Sequence, residues 1–279
     1  MTAVARSAST IRIQTHSSLL QLAQLPVVPA RPGHGMNAEW QNYSLLVYAL
    51  PMERATRLIP DSFQIEEFTI TGATGSETRC ALVSVESCLD QGSGYGDGLS
   101  FEQTRYRLHV RHNGEAGTWL LGTAVGSLTA VAPRHLWSLP WHLSAMEFQV
   151  LWNAAEGRYQ EYRLQTSSQW ANATWELRDT GIPMDFDADY ASLEKQLSAS
   201  LRTSKDWFQR KDEMIGEYRI TRSSLHFTRG QVLTARCDLL ERLELVTRAE
   251  LMNPLMIALQ QRMTSQIYSP VVETAVSSF

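Results

Sequence analysis

Two stretches of the chain carry the side chains best suited to chemistry. The first is Pro133 to Leu143, Pro-Arg-His-Leu-Trp-Ser-Leu-Pro-Trp-His-Leu, which gathers His135, His142, Trp137 and Trp141 around a bend. The second is Phe101 to Arg111, where strand alternation puts Gln103, Arg105, Arg107 and His109 on one face. Glu102, Thr104, Tyr106, Leu108 and Val110 take the other face. An arginine fork suits a carboxylate, and an imidazole can move a proton near neutral pH. Plainer readings stand beside these. The polar face can simply meet water, the tryptophans can be core anchors, and His142 can be held by backbone hydrogen bonds.

The elements around these stretches follow from local pattern. Pro140 removes a backbone donor and turns Leu139 away from the helical region, so a short helical turn at Arg134 to Trp137 must end in a bend. A strand is expected over Ser144 to Asn153. Upstream, Tyr43 to Ala49 reads as a strand, Pro51 opens a helix that ends at Pro60, and Phe63–Thr71 and Arg79–Cys88 form a hairpin. Gln91 to Ser100 is a glycine-rich loop with Tyr95 at its centre, read as a mobile loop or as the rim of a pocket. It lacks the residues of a phosphate loop and the context of a dinucleotide site. Asn113-Gly114 signals a hairpin between Phe101–Arg111 and Thr118–Ser127. Further strands are expected at 159–167, 172–180, 216–221, 224–227 and 232–238. A helix is expected over 190–202, with Trp207 and Phe208 anchoring the next connection. Another helix starts near Pro254, with Leu255, Leu259 and Met263 on one face. Short strands at this spacing make a mostly antiparallel barrel or sandwich.

Composition narrows the function classes. The 279 residues can bury a sizeable core in one domain, and a net charge of −4 gives no broad attraction for nucleic acid or an anionic membrane. No apolar run approaches the ~18 residues that span a bilayer. The only lysines are Lys195, Lys205 and Lys211, against a Lys and Arg total of 25. Cys80, Cys88 and Cys237 lack CxxC spacing, which suits reduced thiols and a cytoplasmic location. Asp185, Asp187 and Asp189 alternate, but Tyr190 and Gln196 stand where a calcium loop needs Gly and Glu, so no metal site is expected. Residues 1–38 contain no Asp or Glu and read as a flexible tail, with a targeting segment as the alternative; residues 39–279 read as one domain.

The order of motifs from Tyr43 to Val150 resembles the acetoacetate decarboxylase-like superfamily, and within it the YqjF-like, or DUF2071, branch. The residues that carry the likeness are 43–63, Gly94 to Asp97, 101–111, Gly117 to Leu120 and Arg134 to Leu143. The resemblance implies an α+β, mainly antiparallel fold: a conical β-barrel with peripheral helices and a buried, largely apolar pocket. Decarboxylases of that superfamily form a Schiff base through a lysine after the proline of an arginine–tryptophan–proline stretch, with a second lysine beside it. Here those positions are Trp141 and His142. The substrate-holding arginine falls at Ala49, and the pocket glutamate falls on Gln103, with Glu102 one register away. Indole and imidazole cannot form an iminium with a ketone, so the usual Schiff-base route is not expected.

Two functions fit. One is a lysine-independent lyase, isomerase, cyclase or hydratase acting on a small organic acid or carbonyl compound in secondary metabolism. His142, Arg107, Gln103 and Glu102 would carry the catalysis. Arg105, His109, Trp119, Trp137, Trp141 and Tyr95 would bind substrate, and no cofactor is expected. The other is a non-catalytic binder of an apolar or aromatic small molecule, with the tryptophans stacking on it. A structural role would draw on the charged segment Glu194 to Glu213. Self-association stays open in every case. If the polar face of 101–111 lies inside the barrel, its buried arginines require a Glu partner or an anionic ligand.

Overall fold

The computed structural model describes residues 35–71, 76–92, 99–128, 134, 137–186, 193–223, 225–268 and 271–272. Its first strand, β1 (Gly35–Leu50), begins inside the segment expected as a tail. Pro51 then opens the short helix α1 (Met52–Thr56), and β2 (Gln64–Ile65) and β3 (Phe68–Thr71) lead into β4 (Glu77–Gly92). β5 (Leu99–His112) and β6 (Glu115–Val125) form the hairpin predicted from Asn113-Gly114. Both turn residues have positive φ, 50° and 82°, as a turn matched to strand twist requires.

After β7 (Trp141–Leu143) the chain forms β8 (Ala145–Asn153), β9 (Arg158–Ser167) and β10 (Ala173–Pro183). Helix α2 (Leu193–Arg202) follows, then β11 (Thr203–Gln209), β12 (Ile215–Arg222) and β13 (Thr228–Cys237). The last elements are α3 (Asp238–Arg242), α4 (Arg248–Leu251), β14 (Met256–Tyr268) and β15 (Val271–Val272).

Seven strands close on themselves in the order β1-β4-β5-β6-β11-β12-β14 and back to β1. All the pairings are antiparallel except β6 with β11. This is the expected mainly antiparallel α+β barrel with few helices outside it. β14 pairs β1 along most of its length and splits its other edge. Ser265–Ile267 pair β12, while Ala258 and Leu259 pair β13. The split lets β13, β10, β9 and β8 continue as an outer sheet over the barrel wall.

Two cores result. One lies between the wall and the outer sheet, with Leu46, Val83, Tyr106 and Leu108 meeting Tyr162, Leu164, Trp175 and Leu177. The other fills the barrel, with Trp40, Tyr43, Leu45, Leu82, Phe208, Ile220 and Met256 joined by Leu197 and Leu201 of α2.

Three local expectations are corrected. The helix expected from Pro254 is the barrel strand β14; a step of four residues is one helical turn and also two strand repeats, so the spacing of 255, 259 and 263 fits both. Trp207 and Phe208 lie in the strand β11, not a connection. The described part of the strand expected over 224–227, Leu225–Phe227, has no strand pairing.

Candidate functional site

The polar face of β5 points into the barrel. Its cationic residues meet there a carboxylate from the neighbouring strand. Glu86 of β4 stands opposite Arg105 in the register and is fully buried. Its Oε2 accepts from Arg107 Nη2 at 2.5 Å, Arg222 Nη2 at 2.8 Å and Tyr43 Oη at 2.9 Å. Arg105 Nη2 lies 3.0 Å from Oε1, but off the line a hydrogen bond needs, so both atoms remain without one. Asp206 of β11 adds a second carboxylate 3.6 Å from Arg107 Nη1 and accepts from Thr118 Oγ1. Arg222 also donates to the Leu201 carbonyl at the end of α2, 3.0 Å away. Burial alone would raise the Glu86 carboxyl, yet Arg105, Arg107 and Arg222 hold it well below the usual carboxylate range.

Three guanidiniums therefore face Glu86 and Asp206 in a buried interior. Nε of each arginine has no hydrogen-bond partner among the described residues. Arg105 lies over the Trp40 indole, its Cζ 4.3 Å from the ring centre, and Arg222 approaches the same ring at 5.1 Å. The Trp40 Nε1 reaches past them to Asp90 Oδ2 at 3.0 Å, and Gln103 Nε2 donates to the same oxygen at 2.7 Å. Burial lifts the Asp90 carboxyl to about 6, against the opposing pull of Arg105 and the two donors.

His109 lies on the other side of Arg107 along β5. It is 5% exposed and neither ring nitrogen has a hydrogen-bond partner among the described residues; burial, helped by the Arg107 charge, pushes it down to about 3. The imidazole is therefore neutral at pH 7. A cavity of about 10 Å³, room for roughly one water, lies between Arg107, His109, Ser84 and Thr118 on the barrel side and Leu197 and Leu201 of α2.

Other expected site residues fall elsewhere. Glu102 takes the opposite face of β5, where its carboxylate folds against Gly126 and burial raises it. Trp119 also faces outward, packed on Phe63 with ring centres 5.0 Å apart, because its register partner is Leu108 and not Arg107. β7 runs parallel to β6, pairing Trp141 with the Thr123 that itself pairs Arg105, and His142 with Ala124. Trp141 thus packs on the interior core, its ring 6.0 Å from Phe101. His142 turns to the outer layer and stacks on Trp170 at 4.0 Å. Burial, then the Arg134 charge, lowers it to about 4. His142 and Arg107 therefore do not share one site, since successive residues of a strand point to opposite faces. Trp137 packs on the interior core and its carbonyl accepts from Arg210. Tyr95 and His135 lie outside the described residues.

The lysines stay clear of the cluster wherever their contacts are defined. Lys205 pairs with Glu115 and Glu217, on the face of β11 opposite Asp206, and Lys211 is exposed in a turn. Lys195 is half-buried on α2. Sequence reasoning did not single out Glu86, Asp90, Asp206 or Arg222. Glu86 and Asp90 interrupt the apolar strand 81–90 at even spacing, which marks one face. Arg222 and Asp206 carry no such signal.

The family comparison bears on the whole of this architecture. The model of the DUF2071 family, described as an uncharacterized conserved protein, matches residues 37–263. The chain belongs to that family. No protein of curated function matches it in sequence.

Among solved structures, the acetoacetate decarboxylase of Legionella pneumophila is similar over 96% of this chain and 100% of its own, with 11% identity and a TM-score of 0.54. An acetoacetate decarboxylase-like enzyme from Sphingomonas wittichii RW1 is similar over 86% and 94%, at 11% identity and a TM-score of 0.55. The enduracididine biosynthesis enzyme MppR, complexed with pyruvate, is similar over 90% and 95%, at 10% identity and a TM-score of 0.50. What the chain shares with these enzymes at this identity is the fold, a mainly antiparallel barrel with few helices outside it. No helix among the described residues is long and apolar enough to cross a membrane.

Proposed function

We propose that the protein is an enzyme that binds a small organic acid or carbonyl compound inside the barrel and acts on it without a covalent lysine. The observation that carries this reading is the cluster of guanidiniums inside the barrel, where Arg105, Arg107 and Arg222 face Glu86 and Asp206 and keep Nε donors without a hydrogen-bond partner among the described residues. A buried donor without a partner costs on the order of 1–3 kcal/mol. A substrate carboxylate or developing enolate would recover that cost at the arginines once the one-water cavity beside Arg107 widens to admit it. Neutral His109 would serve as a hydrogen-bond donor that polarises a carbonyl, a role that suits an imidazole whose protonation is suppressed. Trp141, at the position where the superfamily's Schiff-base lysine is expected, supports the lysine-independent route, as does the outward direction of Lys205. The superfamily neighbours that are enzymes make catalysis on this fold the reading to test first.

A second reading, a non-catalytic binder, draws on the aromatic surfaces of Trp137 and Trp141 against the same interior core. Native mass spectrometry with a panel of oxo acids, followed by turnover assays, separates the two. The enzyme reading expects bound acid, turnover, and loss of both in Arg107→Ala. Binding without conversion of any acid favours the binder. A borohydride-trapped adduct on Lys195, Lys205 or Lys211 would overturn the lysine-independent route.

A further inference from the structure

The barrel interior holds one carboxyl group that the arginine cluster does not consume. Asp90 is 4% exposed and stands on the same face of β4 as Glu86, two strand repeats further along, opposite Phe101. Both of its donors, Trp40 Nε1 and Gln103 Nε2, converge on Oδ2. Oδ1 receives neither, and it is not among the sealed polar atoms of the interior. Among the described residues the group is therefore held by side-chain donors through one oxygen only.

The surroundings match a carboxylate that trades a proton with a bound molecule. The Trp40 indole joins Asp90 at its edge to Arg105 on its face, so the free oxygen and the unpaired Nε of Arg105 belong to one unit. Phe101 and Trp141 flank this end with apolar surface. The ionisable groups that face Asp90 are Cys88 and Glu86 on its own strand, Arg105 on β5 and, across the Trp40 ring, Arg222 on β12. A carboxylate hydrogen-bonded on both oxygens, or paired directly with a guanidinium, would be a weak base. Asp90 is neither.

We propose that Asp90 is the general base for a carbonyl acid whose carboxylate pairs with Arg105, removing a proton from the carbon next to the carbonyl. The C–H bond breaks and the proton goes to Asp90 Oδ1. The C–H electron pair becomes the C=C bond of an enolate, and the carbonyl π pair moves onto oxygen. Return of the proton to the same carbon gives exchange, and return elsewhere gives an isomer; no oxidant or reductant is needed. This inference rests on the barrel interior being the substrate site.

The test is loss of α-proton signal in D2O, followed by NMR for pyruvate, 2-oxobutanoate and acetoacetate, beside binding titrations of the same acids. The wild type should bind at least one acid and exchange its α-protons, with a rate that rises with pH through a limb near 6. Asp90→Asn, which keeps an oxygen for Trp40 and Gln103, should bind within about threefold of wild type and exchange at least ~100-fold more slowly. Asp90→Glu should exchange with its pH limb displaced, a shift that a purely structural role would not produce. Exchange at the wild-type rate in Asp90→Asn, or an unmoved limb in Asp90→Glu, overturns the role of Asp90 and leaves the proposed function intact. If the wild type binds none of the acids, the proposed function and this inference fall together.

Discussion

Glu86→Gln is the sharpest test of the barrel interior, because it removes one charge and almost no volume. In the wild type, Glu86 meets guanidinium nitrogens at 2.5, 2.8 and 3.0 Å. At an effective dielectric near 20, a pair about 3 Å apart is worth roughly 5 kcal/mol before desolvation. Most of that gain is offset by taking the four charges out of water. The variant keeps the desolvation cost of three arginines and leaves Asp206 as the nearest carboxylate. A loss of about 3–5 kcal/mol is expected, the usual result of removing one partner from a buried pair.

Urea unfolding at pH 7 reads this as a lower midpoint with an unchanged slope. The pH dependence has a definite sign. The Glu86 carboxyl is depressed in the fold, so its contribution is complete above the unfolded value of about 4.3 and is lost as pH falls towards the folded one. The gap between wild type and variant should therefore be constant from pH 5 to 8 and narrow below about 4. Formate or acetate should restore midpoint to the variant in a saturable way by binding among the freed guanidiniums. A loss below ~1 kcal/mol, or a gap that widens towards acid, would refute the assignment of Glu86 as the hub of the cluster.

Other perturbations probe separate parts of the molecule. Asp90 has a raised folded value, so its cost to stability appears as pH rises from about 4 to about 6. Asp90→Asn should thus raise stability at pH 7 by up to about 3 kcal/mol and give no gain at pH 4, measured by paired thermal melts. His109→Leu removes two nitrogens that have no hydrogen-bond partner among the described residues, so stability should change by less than ~1.5 kcal/mol while oxo-acid affinity falls in titration. Gly122→Ala would bring a methyl group to within 2.4 Å of the Trp170 ring that stacks on His142. It should cost about 1–3 kcal/mol and alter tryptophan fluorescence. His142→Ala should disturb that same stack while leaving acid binding inside the barrel at the wild-type level.

Local pattern was enough for most of the strands and for one functional face. The alternation of Gln103, Arg105, Arg107 and His109 against Tyr106, Leu108 and Val110 is visible in a single segment, and so is the Asn113-Gly114 turn. Alternation says which residues share a face; it does not say whether that face meets water or the inside of a barrel. Closure decided this, by bringing Glu86 of β4, Asp206 of β11 and Arg222 of β12 around β5. β14 shows the same limit. It is buried on both faces near Met256 to Leu259, so no polar alternation marks it as a strand, and its leucine spacing fits a helix equally well.

The bend at Pro133 to Leu143 was legible as a bend, and Trp141 proved to face the interior. Which side His142 would take depended on the parallel register of β7 against β6, which puts it beside Ala124 and under Trp170. Trp119, one residue out of phase with the inward-facing Thr118 and Leu120, takes the outer face of β6. What the sequence by itself determined was a strand-rich chain with a clustered arginine face and no lysine at the expected Schiff-base position. Only the tertiary structure decided that the arginines are internal, that Glu86 neutralises them in part, and that Asp90 meets Arg105 across the Trp40 ring. The physical reason is that a buried charge is defined by its partners, and here those partners come from strands up to 136 residues away in the chain.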